Sequence, residues 1–409
     1  MTKKPSYRFA DYTEPWADKK LGELVERVTR KNKNLESDLP LTISAQYGLI
    51  DQETFFNKKV ASKDVSGYYL LKKGEFAYNK SYSSDYPWGA VKRLDNYEMG
   101  VLSTLYIVFR PNSIDSDFLA VYYDSPKWYK EVSMRAAEGA RNHGLLNISP
   151  QDFFDTELIF PVNQSEQTAI GSFFQDIDQL ISLQQRKLDV LKEQKKTYLK
   201  LLFPAKGQKK PSLRFVGFED EWKEVKLGEY ANYRRGSFPQ PYGKKEWYGG
   251  EESMPFVQVI DVTDNLALVN DTKQKISKQA QPKSVLVPQG TVIVTLQGSI
   301  GRVAITHYDT YVDRTLLIFE SYNFPTHIGF WAYTIQNIFE IERQKAPGGT
   351  IKTITKEALS SFEISIPSLP EQEAIGSFFQ DLDKAIAKQE EKVNQLKESK
   401  RTLLRKMFI

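Results

Sequence analysis

EQTAIGSFFQDIDQ (Glu166–Gln179) and EQEAIGSFFQDLDK (Glu371–Lys384) are two copies of one segment. The match runs without a gap from Glu166 to Phe203 and from Glu371 to Phe408, at a constant offset of 205. Self-similarity of this kind in a chain of 409 residues marks a tandem of two half-molecules. Weaker matches precede each copy. Arg8-Phe9, Trp16 and KLGE (Lys20–Glu23) correspond to Arg214-Phe215, Trp222 and KLGE (Lys226–Glu229), and Pro161 corresponds to Pro367. Each half is a globular segment followed by one long helical pattern.

The periodicity of that pattern decides the architecture. Ile170, Phe174, Ile177, Ile181, Gln184, Leu188, Leu191, Lys195, Tyr198 and Leu202 step alternately by four and three, which is a heptad seam. The second copy places Ile375, Phe379, Leu382, Ile386, Gln389, Val393, Leu396, Lys400, Leu403 and Met407 at the same steps. Both seams are interrupted at matched places, by Gln184 and Gln389 and by Lys195 and Lys400. Polar seam residues fix register at a cost in stability, so the two helices are expected to pair with each other inside one chain. Pseudo-twofold symmetry favours antiparallel pairing. The expected fold is therefore α+β (mixed α/β), with two globular heads separated by two long antiparallel helices in an intramolecular coiled coil. Head 1 is expected over 1–162, the first helix over 163–205, a linker over 206–211, head 2 over 212–368 and the second helix over 369–409. At about 1.5 Å per residue, such a helix exceeds roughly 50 Å and can act as a rigid spacer.

Two details of the repeat call for packing partners, and a third is charged. Gly171 and Gly376 stand inside the helices, where glycine costs about 1 kcal/mol relative to alanine; close approach of another backbone would explain both. Phe173, Leu180 and Phe378 widen the apolar stripe beside the seam, either to pack on the heads or to dock another subunit. The repeated Asp-x-Asp (Asp176 and Asp178; Asp381 and Asp383) reads as helix-surface charge, because residues two apart on a helix face different ways.

Composition excludes several classes. There is no cysteine and only His143, His307 and His327 are histidines, so no metal site is expected. No stretch approaches the roughly 20 apolar residues of a membrane span, and a cytoplasmic protein without membrane partners is expected. The net charge of +4 requires that any basic surface be local. Walker, dinucleotide-binding and Asn-Pro-Pro-aromatic motifs are lacking, so no catalytic residue is assigned and the chain is expected not to be an enzyme.

The heads combine β-branched runs with polar loops. Candidate DNA contacts in the first are Arg30, Lys31, Lys33, Lys80, Lys92, Arg93, Arg141, Asn142 and His143. Those in the second are Arg234, Arg235, Lys244, Lys245, Gln297, Ser299, Arg302 and Lys352. Arg, Asn and Gln can bond base edges bidentately and Lys can hold phosphates. Singly, each is more often a solvated surface group than a base reader. A coiled-coil adaptor joining two protein-binding heads is the alternative reading of the same frame.

The twice-occurring EQxAIGSFFQDxD segment leading into a Lys/Glu/Leu-rich helix resembles the specificity (S) subunits of type I restriction-modification systems. The KLGE entry, PLTISAQYGLI (Pro40–Ile50) and the turn Gln297–Arg302 carry the similarity across the chain. The resemblance implies two target-recognition domains that read the halves of a bipartite site in double-stranded DNA, with the helix pair setting the half-site spacing. It implies docking of two methyltransferase subunits and association with restriction subunits. S-adenosylmethionine, ATP and Mg would then belong to those partners, with no cofactor bound by this chain, and the expected outcome is adenine N6 methylation and cleavage of unmodified DNA.

Overall fold

The computed structural model describes residues 4–44, 47–83, 86–136, 145–205, 207–345 and 356–409. They form two compact units, one of Met1–Gln185 with Glu391–Ile409 and one of Arg186–Glu390. The long helices run Gln164–Leu201 and Leu369–Met407. They are not a separate layer: each gives one part to each unit, because the seam ends are core residues of the heads. Ile170 and Phe174 share the core of the first unit with Leu404, Met407 and Phe408. Leu202 and Phe203 share that of the second with Ile375 and Phe379.

Pairing is antiparallel within each unit. In the first, Lys400 Nζ lies 2.7 Å from Asp178 and Lys397 Nζ donates to Gln185 at 3.2 Å. In the second, Lys195 Nζ lies 2.6 Å from Asp383 and Lys192 Nζ 2.5 Å from Glu390. Numbers rise along one helix as they fall along the other. Every seam position, from Ile170 to Leu202 and from Ile375 to Met407, is buried or half-buried. The interrupting lysines have partners that the sequence reading placed on the surface: Asp178 and Asp383, the second acids of the repeated Asp-x-Asp, each neutralise the seam lysine of the other helix. Lys400 also reaches Asp124 at 3.2 Å.

The heads differ in sequence and share a strand order. In the first unit a four-stranded antiparallel sheet runs Val25–Arg27, Ile107–Pro111, Phe76–Asn79, Ala90–Arg93. In the second it runs Ala231–Arg235, Leu316–Tyr322, Val292–Thr295, Val303–Ile305. Both sheets are covered on two faces. Val292 and Val294 point into the core shared with the long helices and Ile293 into a second core; Phe76 and Tyr78 divide from Ala77 in the same way. The KLGE repeat ends a strand that pairs antiparallel with the strand before each long helix, Ala17–Lys20 with Glu157–Phe160 and Lys223–Lys226 with Glu363–Ile366. The second unit adds a sheet ordered Gln274–Ile276, Met254–Val257, Thr310–Val312, Leu286–Val287.

The polar letters of the repeat fasten head to helix. Glu166, 1 % exposed at the start of the first long helix, accepts Arg8 Nε and Nη2 at 2.6 and 2.7 Å and Trp16 Nε1 at 3.2 Å. Glu371 accepts Arg214 Nε and Nη2 at 2.7 and 2.8 Å. Gln167 accepts the Asp115 N–H at 2.7 Å and donates to the Pro161 carbonyl, and Gln372 accepts the His327 N–H at 3.1 Å and donates to the Pro367 carbonyl. Asp115 and His327 each begin a head helix, Ser116–Asp124 and Ile328–Lys345. These helices press against the repeat glycines. A Cβ on Gly171 would stand 2.6 Å from Asp117 Cβ and 3.0 Å from Phe118 N, and one on Gly376 would overlap His327 and lie 2.8 Å from Phe330 N.

Alanine normally stabilises a helix interior over glycine by about 1 kcal/mol. Here the sign reverses: Gly171→Ala and Gly376→Ala are expected to destabilise by about 1–3 kcal/mol, the cost of overpacking, and a raised melting temperature in either would contradict the contact. His327 supplies a pH test. Its Nδ1 accepts the Phe330 N–H at 3.2 Å, which requires the unprotonated ring, and burial lowers its pKa against the opposite pull of Glu373. A base with a lowered folded pKa contributes stability fully above its unfolded value of about 6.5 and loses it as pH falls through that value. The melting temperature of the wild type is expected to fall more between pH 7 and 5.5 than that of His327→Asn; equal falls would refute the role of His327.

Candidate nucleic-acid interface

Strand register gathers the second head's loops at one end of its sheet. Arg235 pairs with Leu317, Thr295 with Leu316 and Val294 with Val303. The segment after Arg235, the strip Asp313–Thr315 and the turn Leu296–Arg302 therefore leave the sheet together. Val257 and Val312 end a parallel pair, and the Asp313 N–H donates to the Val257 carbonyl at 3.0 Å, so Gln258 arrives there too. Gly236 permits this convergence, since a Cβ on it would stand 2.2 Å from the Val312 carbonyl oxygen.

Of the expected contacts, Arg234, Arg235, Lys244, Lys245, Gln297 and Ser299 are exposed. Arg302 is 2.9 Å from Asp264, Lys244 is 3.3 Å from Glu246, and Arg234 keeps a looser 3.9 Å approach to Glu320. The Gln297–Gly301 turn is rigid. Gly298 and Gly301 have φ of 66° and 86°, which favours glycine. The Thr295 hydroxyl donates to the Ser299 carbonyl at 2.5 Å and accepts the Arg302 N–H at 3.0 Å. A Cβ on Gly301 would stand 2.8 Å from Phe339 Cβ, so the turn also packs on the head helix.

The corresponding end of the first head carries Lys80, which follows a strand end where Ile107 pairs with Tyr78 and Asn79 with Ala90. Arg30 is committed to the buried Glu75 at 2.7 Å. Lys31 donates to the Gly67 carbonyl at 2.9 Å and covers the Tyr69 ring at 4.1 Å. Lys80 is half-buried, and burial lowers its pKa. Lys33 is exposed, with no ion pair among the described residues. Lys92 and Arg93 lie toward the opposite end, where Arg93 pairs with Phe76. Lys92 is 2.6 Å from Asp124, and Arg93 is 2.7 Å from both Asp95 and Asp117. Through Asp124, which Lys400 also holds, this charge ties the head to the long helix. Arg141, Asn142, His143 and Lys352 lie outside the described residues.

The apolar stripe divides. Phe173 packs edge-on to Phe9 at 5.6 Å, and Phe378 packs on Phe215 at 5.8 Å and Tyr198 at 5.2 Å, so both rings serve their own unit. Leu180 remains exposed. Sequence reading passed over Tyr242, Gln258 and Arg314, which join the convergent loops of the second head. Only the register brings them there, and no cluster or motif marks them. Among the described residues no group of three or more His, Cys, Asp or Glu could hold a metal ion, and no helix is long and apolar enough to cross a membrane.

Residues 219–398 match the type I restriction modification DNA specificity domain. The chain is 25 % identical over 252 residues to a putative type I restriction enzyme MjaX specificity subunit of Methanocaldococcus jannaschii, covering 58 % of this chain and 55 % of that protein. It is 24 % identical over 154 residues to the type I restriction enzyme EcoprrI specificity subunit of Escherichia coli, covering 37 % of each. The matches thus span about half the length of these relatives or less. Over 99 % of both chains it superposes on the crystal structure of a type I restriction-modification system S subunit from M. genitalium, with a TM-score of 0.59 and 15 % identity. A chain from a structure of type I R-M complex assembly and conformational transition gives a TM-score of 0.58 at 19 % identity, over 97 % of this chain and 99 % of that one. Residues 219–398 are thus similar to the type I restriction modification DNA specificity domain, and the chain as a whole shares the fold of the S subunit from M. genitalium.

Proposed function

We propose that this chain is the non-catalytic DNA-recognition subunit of a type I restriction-modification complex, each head reading one half of a bipartite site in duplex DNA. One observation carries the reading: two heads repeat a strand order and a helix anchor while presenting unlike side chains at the same end of the sheet. That is the arrangement of two readers of different sequences on one frame. The helix pair sets the half-site spacing and offers the surface on which two methyltransferase subunits dock, and restriction subunits join the fuller assembly. S-adenosylmethionine, ATP and Mg act in those partners, where adenine N6 methylation and cleavage take place.

Co-expression of the chain with its methyltransferase subunit, followed by mapping of methylated adenines across host DNA, tests the reading. A bipartite motif that disappears without this chain is expected. A stable complex without methylation would favour an adaptor joining two protein-binding heads. Half-sites on one DNA face are about 34–36 Å apart per helical turn, so equal insertions in both long helices are expected to change the permitted spacer.

Phosphate contacts are separable from structural cations by salt. Each lost phosphate contact lowers the slope of log affinity against log salt by about 1. Lys33→Ala is expected to do so with little change in melting temperature. Lys92→Ala, which strands Asp124 beside Lys400 alone, is expected to lower the melting temperature and leave the slope in place. The reverse pattern would exchange their roles.

A further inference from the structure

At the loop end of the second head one arginine is held differently from the others. Arg314 lies between strands Thr310–Val312 and Leu316–Tyr322, in a strip fixed on both sides. Asp313, 2 % exposed, accepts the Thr315 N–H at 2.9 Å and hydroxyl at 2.6 Å through one oxygen and the Tyr242 hydroxyl at 3.1 Å through the other. Its backbone N–H donates to Val257 and its carbonyl accepts from Leu316. With its carboxylate so engaged, Asp313 forms no ion pair with the neighbouring arginine. Tyr242 also accepts Gln258 Nε2 at 2.8 Å, and burial, reinforced by Asp313, pushes its phenol up to about 12, so the hydroxyl remains a donor at neutral pH.

Arg314 is exposed, and its guanidinium carbon stands 5.5 Å from the Tyr242 ring centroid. Arg214, Arg302 and Arg234 each approach a carboxylate, whereas Arg314 and Arg235 approach none among the described residues. Arg235 has no aromatic platform among the described residues. A guanidinium that is charged, free of a carboxylate and already ordered on a ring gives up little conformational freedom on binding. Its planar fork matches the two acceptors that guanine shows in the major groove.

We propose that Arg314, held on Tyr242, is the base-reading arginine of the second head and donates to the O6 and N7 edge of a guanine in the half-site that this head binds. The assignment rests on the reading of the chain as a DNA-recognition subunit and adds which residue decides one base. The Asp313–Tyr242–Gln258 chain positions it.

Full-length wild type, Arg314→Ala and Arg314→Lys are each co-expressed with the methyltransferase subunit, and methylated adenines are mapped across host DNA. Both variants are expected to relax one guanine position of one half-site by on the order of tenfold to a hundredfold, with the other half-site and the melting temperature unchanged. An unchanged motif in both variants would overturn the assignment. So would restoration by Arg314→Lys, the mark of a phosphate contact, or a uniform loss of methylation without change of motif. If Arg314→Ala unfolds the head, Arg314→Lys decides alone. Absence of a bipartite motif from the wild type would instead bring down the DNA-recognition reading itself.

Discussion

A buried carboxylate in the first turns of each long helix is the constraint on which the rest of the structure depends. Glu166 and Glu371 are each about 1 % exposed and each is met by a two-pronged arginine from the segment preceding its own head. Desolvating a carboxylate costs several kcal/mol unless a well-aligned partner is present, and removing one partner of such a pair typically costs about 3–5 kcal/mol. The chain before each head must therefore return to the helix after it. That closure brings the KLGE strand beside the strand leading into the helix, and it seats Trp16 and Trp222 in the two cores.

From this closure the head's orientation follows. The glutamine next to each buried glutamate grips the start of a head helix, and the glycine four residues further lets that helix approach within contact of backbone. Glu, Gln and Gly are thus three parts of one joint, repeated at the offset of the sequence repeat. The salt bridges of the seam lysines continue it along each helix. Lys400 takes both Asp178 on the partner helix and Asp124 on the head, so helix pairing and head docking share a cation.

Much of this frame was legible in the sequence because it is periodic and repeated. Heptad steps identify the seam, and matched interruptions at Lys195 and Lys400 point to pairing within the chain. Their partners were not legible. Asp178 and Asp383 lie 222 and 188 positions away from the lysines they neutralise, and residue spacing along one helix says nothing about charge facing it from another. The common strand order of the heads was also hidden, because it is kept by alternating burial, as in Phe76, Ala77 and Tyr78 or Val292, Ile293 and Val294, and not by residue identity. Clustered basic residues were a poor guide to free charge. Arg30, Lys92 and Arg93 are bound to Glu75, Asp124, Asp95 and Asp117, while the isolated Arg314 faces solvent.

The same physics explains how the heads can differ while the frame stays fixed. A sheet packed on both faces tolerates little change in volume, since overpacking or a cavity costs on the order of 1–5 kcal/mol. The loop end of the second head is released from that constraint: there Arg235, Gln297 and Arg314 reach solvent from backbones held in register by buried neighbours. Side chains there can be exchanged without disturbing a core, yet each is presented from a rigid strip. Variation in what a head reads is thereby confined to positions that carry little of its stability, and those positions are set by strand register, which neither charge nor spacing in the sequence displays.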